Sequence, residues 1–436
     1  MAGCELYSFG EPSIHFRKLK MQPHVITKCR LCGSPHLENV LDLGIQKLTG
    51  VFPRSVDELV LEGPLELVRC VPDGEACGLL QLRHSYPQEA MYGQNYGYRS
   101  GLNASMVAHL ESKTKKLLSL ANPPAGSLLV DIGSNDGTLL KSYPAYYQKA
   151  GIDPVAKKFL SFYPKDIQVV ADFFSSQVWE AHFGSQKAAI ITSVAMFYDL
   201  EAPLEFVQNI AERLTPDGLW HFEQSYMPFM LKNLAYDTIC HEHIEYYALR
   251  QIHWALQRCG MKIVDLEPSQ VNGGSLAVTA TLANSRIPEA IGPLESLLAA
   301  ERAAGLDSMN PFFVFQKDVF RHRGQLKETM AGLHKKGLRV LGYGASTKGN
   351  VLLQFCNFDV RDIPLIGEVN PDKYGSFTPG TKIPIVSEQV MHAEKPDVLL
   401  VLPWHFRDSI IERERLYISK GGRLLFPLPR ISFYPN

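Results

Sequence analysis

Short apolar runs alternate with stretches of helical spacing along the middle of the chain. Such an order predicts an α/β architecture, in which the runs form a parallel sheet and helices cover it. Ligands of these sheets bind where the strands end, so residues that follow the runs are the first candidates for a site. The predicted strands are 127–132, 148–153, 167–170, 188–193, 217–223 and, later in the chain, 276–281.

A second α/β unit is predicted beyond a charged stretch of helical spacing at 286–333. Its first strand is the run 338–341, and its later strands are predicted at 363–367, 396–402 and 422–426. Another helical stretch, 104–120, ends at the breaker Asn122-Pro123-Pro124-Ala125-Gly126. The expected parts are a small module at 22–85, an α/β domain at 86–285 with an insert near 223–250, a helical connector at 286–333 and a C-terminal Rossmann-like unit at 334–436.

The balance of charge narrows the possible partners. The chain has 436 residues, 45% of them apolar, with 44 basic and 45 acidic side chains. Because no long run of one charge occurs, neither nucleic acid nor a membrane is indicated as a partner. No apolar stretch approaches the roughly 18 residues that span a bilayer, and the first residues have no apolar signal-peptide core. We therefore expect a cytoplasmic protein.

Four of the eight cysteines cluster, whereas the others are solitary. Cys29 and Cys32 form a C-x-x-C pair, and Cys70 and Cys77 enclose a longer loop with Pro and Gly. In a reducing compartment such pairs bind metal more often than they form disulfides. Four thiolates can close a tetrahedral structural zinc site, which would supply folding energy to a module with little core. The second pair is spaced more widely than in a usual zinc ribbon, and four unligated thiols are the alternative.

A glycine turn follows the strand that ends at Ile132, and the next predicted strand ends at Asp153. Glycines let backbone pass close to a ligand, and the following helix presents free N–H groups. An acid about 20 residues after such a turn suits the two hydroxyls of a ribose. The pattern D-x-G-x-N-x-G is similar to motif I of S-adenosylmethionine (SAM) methyltransferases; an ordinary strand–turn–helix corner is the alternative. The predicted cofactor residues are Asp131, Gly133, Asn135, Asp136, Gly137, Asp153, Asp172, Phe173 and Ser193.

A second glycine turn, 342–350, follows the first strand of the C-terminal unit. It lacks the order of a Walker A loop. Glycines, two hydroxyls and a lysine at a helix start nevertheless suit a phosphate, whereas a tight turn with a solvated lysine is the alternative. SAM would account for only one of the two nucleotide-type corners. The residues predicted to bind the second ligand are Tyr343, Ser346, Thr347, Lys348 and, outside the turn, Asn272.

The insert contains a dense polar segment, 236–247, with two histidines, several acids and three tyrosines. It has no H-E-x-x-H spacing, because Glu245 stands four residues after His241, so a metalloprotease helix is excluded. A histidine beside a carboxylate is suited to general-base work near neutral pH. The alternative is a polar helix start with solvated side chains.

Taken together, these motifs resemble the deoxysugar C-methyltransferases, which act on nucleotide-linked 4-keto-6-deoxy-sugars. The resemblance extends over nearly the whole chain, and the order of the motifs is specific. Their members are Cys29-x-x-Cys32-Gly33, Cys77-Gly78-Leu79-Leu80-Gln81-Leu82, Tyr96-Gly97-Tyr98-Arg99-Ser100, the motif I turn, His241-Glu242-His243, Gly273-Gly274-Ser275, the Gly342–Lys348 loop, Pro379-Gly380-Thr381-Lys382-Ile383-Pro384-Ile385 and Leu402-Pro403-Trp404.

The resemblance implies a zinc module, a class I SAM-methyltransferase domain and a C-terminal Rossmann-like domain that helps to hold the nucleotide sugar. It also implies that a base removes the C-3 proton and that the resulting enolate attacks the methyl group of SAM. His243 is the implied base and Glu242 its partner, with His241 nearby. Tyr96 or Tyr98 is implied to bind the keto oxygen or the sugar, which would stabilise the enolate.

Two departures from the family pattern bear on the acceptor. Cys240 stands where the family often has tyrosine, so Tyr246, Tyr247 or the 96/98 pair would polarise the ketone instead; the wide Cys70–Cys77 spacing is the second departure. A related methyltransferase that acts on a non-sugar ketone or on oxygen remains an alternative, as does a non-catalytic partner protein. The family favours a monomer. The nucleotide, the sugar and the stereochemistry are left open.

Overall fold

The computed structural model describes residues 23–71, 74–87, 91, 99–269 and 273–436.

The N-terminal module is built on antiparallel strands. A long hairpin of the second and third strands forms its centre, and Leu65 and Leu67 fill its buried face. The strands are β1 His24–Val25, β2 Leu37–Lys47, β3 Glu62–Cys70, β4 Leu80–Leu82 and β5 His84–Ser85.

The central domain holds a seven-stranded sheet with the order β12-β13-β10-β9-β6-β7-β8. Strands β10, β9, β6, β7 and β8 run parallel to one another, whereas β13 runs antiparallel to β10 and β12 runs antiparallel to β13. The prediction of a parallel sheet with one late strand is confirmed and gains one further strand. The strands are β6 Leu128–Ile132, β7 Gln148–Ile152, β8 Ile167–Val170, β9 Ala188–Val194, β10 Leu214–Ser225, β12 Met261–Ser269 and β13 Ser275–Leu282, and the short β11 Glu245–Tyr246 lies outside this sheet.

Helices pack on both faces of this sheet and begin at recognisable caps. The side chain of Asn103 accepts from Ser105 N at the start of the first helix, and Ser175 accepts from Val178 N at the start of the third. The helices are α1 Ala104–Ala121, α2 Thr138–Lys141, α3 Ser176–Phe183, α4 Pro203–Arg213, α5 Met227–Lys232 and α6 Leu249–Arg258.

The connector consists of two helices, α7 Ile291–Ala303 and α8 Asn310–Lys335, rather than one continuous charged stretch. One face of α8 is buried through Phe312, Phe315 and Val319, whose spacing places them on one side of the helix. Although α8 has 26 residues, neither it nor another helix in the described ranges is long and apolar enough to cross a membrane.

The C-terminal unit is a six-stranded sheet with the order β16-β15-β14-β17-β18-β19, parallel except for its last strand. The order reverses beside β14, which is where ligands of such sheets bind. The strands are β14 Val340–Tyr343, β15 Ile366–Glu368, β16 Ile385–Ser387, β17 Val398–Val401, β18 Arg423–Phe426 and β19 Ser432–Tyr434, and the helices are α9 Thr347–Cys356, α10 Glu388–Ala393, α11 Arg407–Arg413 and α12 Arg415–Ser419.

The predicted boundary of the N-terminal module is crossed by the insert. β11 pairs antiparallel with β4, so two residues of the central domain's insert form the edge strand of the module's sheet. The buried Arg69 of β3 likewise lies over the ring of Phe312 at 4.2 Å and donates to the backbone oxygens of Leu306 and Ser308. The module is therefore packed against the rest of the chain through β4 and Arg69.

Candidate active site and metal centre

The motif I turn is a tight corner between β6 and α2. Gly133 has φ +76°, and a Cβ there would lie 3.2 Å from the Met196 side chain. Gly137 has φ +72°, and a Cβ there would lie 2.8 Å from the ring of Tyr163. Both positions therefore need glycine, for conformation and for space. The corner leaves the backbone N–H groups of the helix start at the carboxyl edge of the sheet.

Asp153 closes this corner from the end of β7. Its two carboxylate oxygens accept from Asn135 N and from Val155 N, each at 2.7 Å. Burial raises the pKa of Asp153, and the two backbone donors oppose that rise. The acid thus lies against the glycine turn, as the ribose prediction requires, and it also holds the turn in shape.

Two predicted cofactor residues turn their side chains inward. Asp131 accepts from Thr192 Oγ1 at 2.6 Å, and burial raises its pKa to about 7. Ser193 is fully buried, and its Oγ accepts from Trp220 Nε1 at 2.9 Å. Ser193 remains a predicted cofactor residue, although its hydroxyl is engaged by Trp220. The Asp131 side chain likewise makes its hydrogen bond within the sheet.

Asn135 and Asp136 tie the corner to the chain that precedes α1. The side chain of Asn135 accepts from Ser100 N at 3.0 Å, and Asp136 accepts from Gly101 N at 3.1 Å. Asp136 also accepts from the hydroxyl of Thr138 in the first turn of α2. These predicted residues shape the site and bring residues 99–101 against it. Tyr96, Tyr98 and Asn272, which were predicted to bind the substrate, lie outside the described residues.

Asp172 and Phe173 follow β8 at the same edge of the sheet. Asp172 is exposed, and Phe173 is partly buried. The neighbouring strands are in register there, because Asp153 N donates to Val170 O at 3.0 Å. Asp172 and Phe173 remain the predicted border of an adenine pocket.

The polar insert is buried and irregular instead of helical. It begins with a 3₁₀ turn, Tyr236–Thr238, and ends in β11. His241 is fully buried, with Nε2 at 3.3 Å from Gly63 O and its ring edge-on to Tyr86. His241 therefore anchors the insert to the N-terminal module, and its catalytic role remains a prediction.

His243 is the histidine of the insert that keeps partial exposure. Its Nδ1 lies 3.0 Å from Thr238 O, a partner that can only accept, so Nδ1 carries the proton and Nε2 keeps its lone pair. The ring of Tyr198 stands edge-on at 4.4 Å. Burial and the charge of Lys348 lower the pKa of His243 to about 4, so the ring is neutral at pH 7.

Glu242 contacts the loop of the N-terminal module. Its Oε2 lies 3.5 Å from Thr49 Oγ1, and a Cβ on Gly50 would come within 2.3 Å of its Oε1. Burial raises its pKa. The pairing of Glu242 with His243 remains a prediction, and the partner given for His243 Nδ1 is the backbone oxygen of Thr238.

The tyrosines that could replace the missing family tyrosine are buried. Tyr247 donates to Glu245 Oε2 at 2.7 Å, so its hydroxyl is used within the insert. Burial, and to a smaller degree the charge of Cys240, raises the pKa of Tyr246 well above its usual value. Cys240 is itself fully buried, and burial likewise raises its pKa.

The C-terminal loop reaches the insert through Lys348. The positive charge of Lys348 favours the carboxylate of Asp237 and lowers the pKa of both His243 and His405. Thr347 lies near the module, since its Oγ1 would be 3.8 Å from a Cβ on Gly50. The lysine is thus not a solvated side chain at a tight turn but part of the surroundings of His243.

Two other predicted residues of the loop have structural positions. Ser346 caps α9 by accepting from Gly349 N at 3.0 Å. Tyr343 is buried, and the carboxylates of Glu388 and Glu414 act on its hydroxyl. Its contact with a ligand remains a prediction. Glu368 was not predicted; it is the last residue of the second strand, β15, and accepts from Ala345 N at 2.8 Å. An acid at that strand end was the available signal.

All three units meet around His243. Asn350 of α9 donates to Thr49 O at 2.7 Å, which joins the C-terminal unit to the module. Trp404 donates from Nε1 to Asp237 Oδ2 at 2.7 Å, which joins it to the insert. A Cβ on Gly273 would lie 3.7 Å from His405 and 3.8 Å from Trp404. Asp237, Trp404, His405 and Tyr198 were not predicted, because their roles depend on contacts between units.

The four clustered cysteines fit a structural zinc ion. Their Sγ atoms all lie within 4.8 Å of one another, with Cys29–Cys77 and Cys32–Cys70 at 3.6 Å. That spacing excludes disulfides, whose sulfurs are about 2.05 Å apart, and matches tetrahedral ligands about 2.3 Å from a zinc ion. Hydrogen bonding with Cys29 lowers the pKa of Cys32 and raises that of Cys77. Four thiolates this close need a cation to offset their repulsion.

Family models match three consecutive parts of the chain. Residues 29–92 match a model described as "Putative zinc binding domain", residues 106–266 match a methyltransferase domain and residues 270–429 match a C-methyltransferase C-terminal domain. A curated relative, the C-methyltransferase NovU of Streptomyces niveus, is 28% identical over 410 residues, which cover 93% of this chain and 96% of that protein.

Solved methyltransferase structures match 40% of the chain. An S-adenosylmethionine-dependent methyltransferase of Clostridium acetobutylicum has a TM-score of 0.32 at 12% identity, covering 40% of this chain and 92% of its own. The plantazolicin methyltransferase BpumL, solved with S-adenosylhomocysteine, has a TM-score of 0.32 at 13% identity and covers 40% and 82%. The domain matches and the curated relative support a SAM-dependent C-methyltransferase enzyme with a zinc-binding module.

We expect one zinc ion per chain in protein purified without chelator. Cys32→Ser should lose that zinc and lower the melting temperature, because the ion fixes the ends of β3 and β4. Elemental analysis with thermal denaturation measures both. Cys259→Ser is the matched control, since Cys259 is also partly buried but lies outside the cluster. Zinc-free wild-type protein would contradict the assignment.

We expect Asp153→Asn to weaken SAM binding about tenfold to hundredfold, because charge-assisted bonds to the ribose hydroxyls would be lost. Titration calorimetry measures the affinity, and circular dichroism checks that the fold is retained. Asp166→Asn serves as the control, since Asp166 is an exposed acid of the same domain paired with Lys149. Equal SAM affinity in Asp153→Asn and wild type would show that the cofactor is misplaced.

Proposed function

We propose that this C-methyltransferase acts on C-3 of a nucleotide-linked 4-keto-6-deoxy-sugar, with His243 as the general base. The observation that carries the proposal is the His243 ring itself. Its tautomer is set by Thr238 O, its other nitrogen is free to accept a proton, and its neutral state is favoured at pH 7. Those are the properties that removal of a carbon-bound proton requires.

The reaction is a proton transfer followed by a methyl transfer. Nε2 of His243 takes the C-3 proton, and the electron pair of the C–H bond passes into the ketone to give an enolate. C-3 of the enolate then attacks the methyl carbon of SAM, the S–CH₃ bond breaks, and S-adenosylhomocysteine leaves. The sulfonium needs no further activation, so the chief task of this chain is to expose a neutral base to C-3 and to exclude water.

The C-terminal loop supplies the proposed nucleotide site. Lys348 and Thr347 stand at the start of α9, where a helix N-terminus and a lysine favour a phosphate. Lys348 lowers the pKa of His243 in the ligand-free protein. A bound diphosphate would offset that positive charge, so substrate binding would make His243 a stronger base.

The oligomeric state, the cellular location and the residues of the SAM site are also proposed. A monomer remains our proposal, as the resemblance to the deoxysugar C-methyltransferases implies. Clustered cysteines stay free of disulfides in a reducing compartment, and the four cysteines of the cluster are free, which supports a cytoplasmic location. Asp131, Gly133, Asn135, Asp136, Gly137, Asp153, Asp172 and Phe173 are proposed to form the SAM corner.

A panel of nucleotide-linked 4-keto-6-deoxy-sugars, incubated with SAM, tests the function. We expect at least one sugar to gain one methyl group on carbon, detected by mass and NMR. In D₂O without SAM, the same sugar should acquire deuterium at C-3. Methylation on oxygen, or no turnover of any sugar in the panel, would contradict the proposal.

In the same assay, His243→Gln should lower the rate by roughly 10²–10⁴-fold, because a positioned base is lost. SAM affinity should be retained. His182→Gln is the control, since His182 is an exposed histidine of the same domain. Deuterium exchange at the wild-type rate in His243→Gln would show that another residue is the base.

We expect the acid limb of kcat to lie at higher pH than that of kcat/KM. The free enzyme's His243 has a pKa of about 4, so the base is active above that pH and is lost by protonation below it. The bound diphosphate offsets Lys348 and raises this pKa in the complex.

Lys348→Met should raise KM and move the kcat/KM limb to higher pH, because a positive charge beside His243 is removed. Lys420→Met, at an exposed position of the same unit, should do neither. A lowered kcat with unchanged KM in Lys348→Met would overturn the phosphate role.

A further inference from the structure

The 3₁₀ turn Tyr236–Thr238 is held by two other parts of the chain. Tyr236 donates its hydroxyl to His322 Nδ1 at 3.1 Å, and His322 donates from Nε2 to Pro427 O at 2.7 Å. On the next residue, Asp237 Oδ2 accepts from Trp404 Nε1 at 2.7 Å. The turn is thus fixed to the connector helix α8 and to the loop that follows β17.

The third residue of the same turn holds the ring of His243. Thr238 O accepts from Nδ1 at 3.0 Å, and this contact sets the tautomer. The peptide plane that carries Thr238 O is separated from the Asp237 side chain by a single residue. A change in the position of Asp237 therefore changes the direction in which this carbonyl points.

Burial of the Asp237 carboxyl costs free energy. Its side chain is 1% exposed, and its Oδ1 has no hydrogen-bond partner among the described residues. A buried acid is unfavourable unless neighbouring groups compensate it. Trp404 supplies a donor and Lys348 a positive charge, and both belong to the C-terminal unit. The backbone N–H groups of Asp237 and Thr238 also favour the carboxylate, and docking of the C-terminal unit supplies the rest of the compensation.

We propose that Asp237 is a positioning residue for His243, with Trp404 of the C-terminal unit as its anchor. The Trp404–Asp237 hydrogen bond fixes the turn, the turn aims Thr238 O, and Thr238 O keeps the His243 proton on Nδ1. The unit that receives the nucleotide thereby also aligns the base. The inference rests on the proposed function only in treating His243 as that base.

The tautomer of His243 tests the inference without any substrate. In protein with ¹⁵N-labelled histidine, long-range proton–nitrogen NMR distinguishes the two neutral tautomers, and His243→Gln identifies the signal. We expect one Nδ1–H tautomer in the wild type and a mixture in Trp404→Phe and Asp237→Ala. Asp237→Asn should restore the single tautomer, because its amide oxygen still accepts from the indole. A single Nδ1–H tautomer in both Trp404→Phe and Asp237→Ala would overturn the inference.

Trp179→Phe is the matched control. It also removes a buried indole N–H, which donates to Gln186 O at 3.1 Å, but on α3. It should lose comparable stability and leave the His243 signal unchanged. If Asp237→Ala does not fold, Trp404→Phe against Trp179→Phe decides the question.

Kinetics provide the second measurement. Trp404→Phe should slow deuterium exchange at C-3 about 10- to 100-fold, with SAM affinity and the sugar's KM near wild type, because the base is misaligned rather than lost. If no sugar exchanges with the wild-type enzyme, the proposed function fails, and the tautomer measurement still decides the inference. A wild-type exchange rate in Trp404→Phe would overturn it.

Discussion

The backbone between Tyr236 and Tyr247 must be satisfied by other parts of the chain, and the active site depends on that requirement. Ile244 shows it most clearly, because its N–H donates to Tyr198 O at 3.0 Å and its C=O accepts from Leu82 N at 2.8 Å. Each such group would cost about 1–3 kcal/mol if buried without a partner. The insert therefore takes its shape only when the module and the central sheet are both in place. Cys70 and Cys77 flank the turn into β4, so the zinc cluster supports the strand on which β11 pairs.

The two ligand corners are built by the same local device. In the central domain, Asp153 at the end of the second strand accepts from Asn135 N in the turn after the first strand. In the C-terminal unit, Glu368 at the end of the second strand accepts from Ala345 N in the corresponding turn. An acid in this place holds the turn open against the next strand and leaves the helix N-terminus facing the ligand. Two such corners in one chain suit two nucleotide-type ligands, of which SAM is one.

The sequence predicted what is local and missed what is made between units. Strand runs, the glycine turns and the cysteine cluster carry short-range signals, and all three are found in the structure. Successive side chains of a strand point to opposite faces of the sheet. A buried run is apolar on both faces, so the sequence does not show to which face Ser193 and Tyr343 point. Glu242 was paired with His243 because the two are neighbours in sequence. Trp404 could not be placed beside Asp237, since 167 residues separate them.

The insert that carries His243, the proposed base, is tied to all three units of the chain. A residue on the central sheet or on the C-terminal sheet would be positioned by that sheet alone. His243 lies instead on a segment whose hydrogen bonds go to Leu82, Tyr198 and Trp404, one in each unit, through Ile244 and Asp237. The position of the proposed base therefore depends on the docking of all three units.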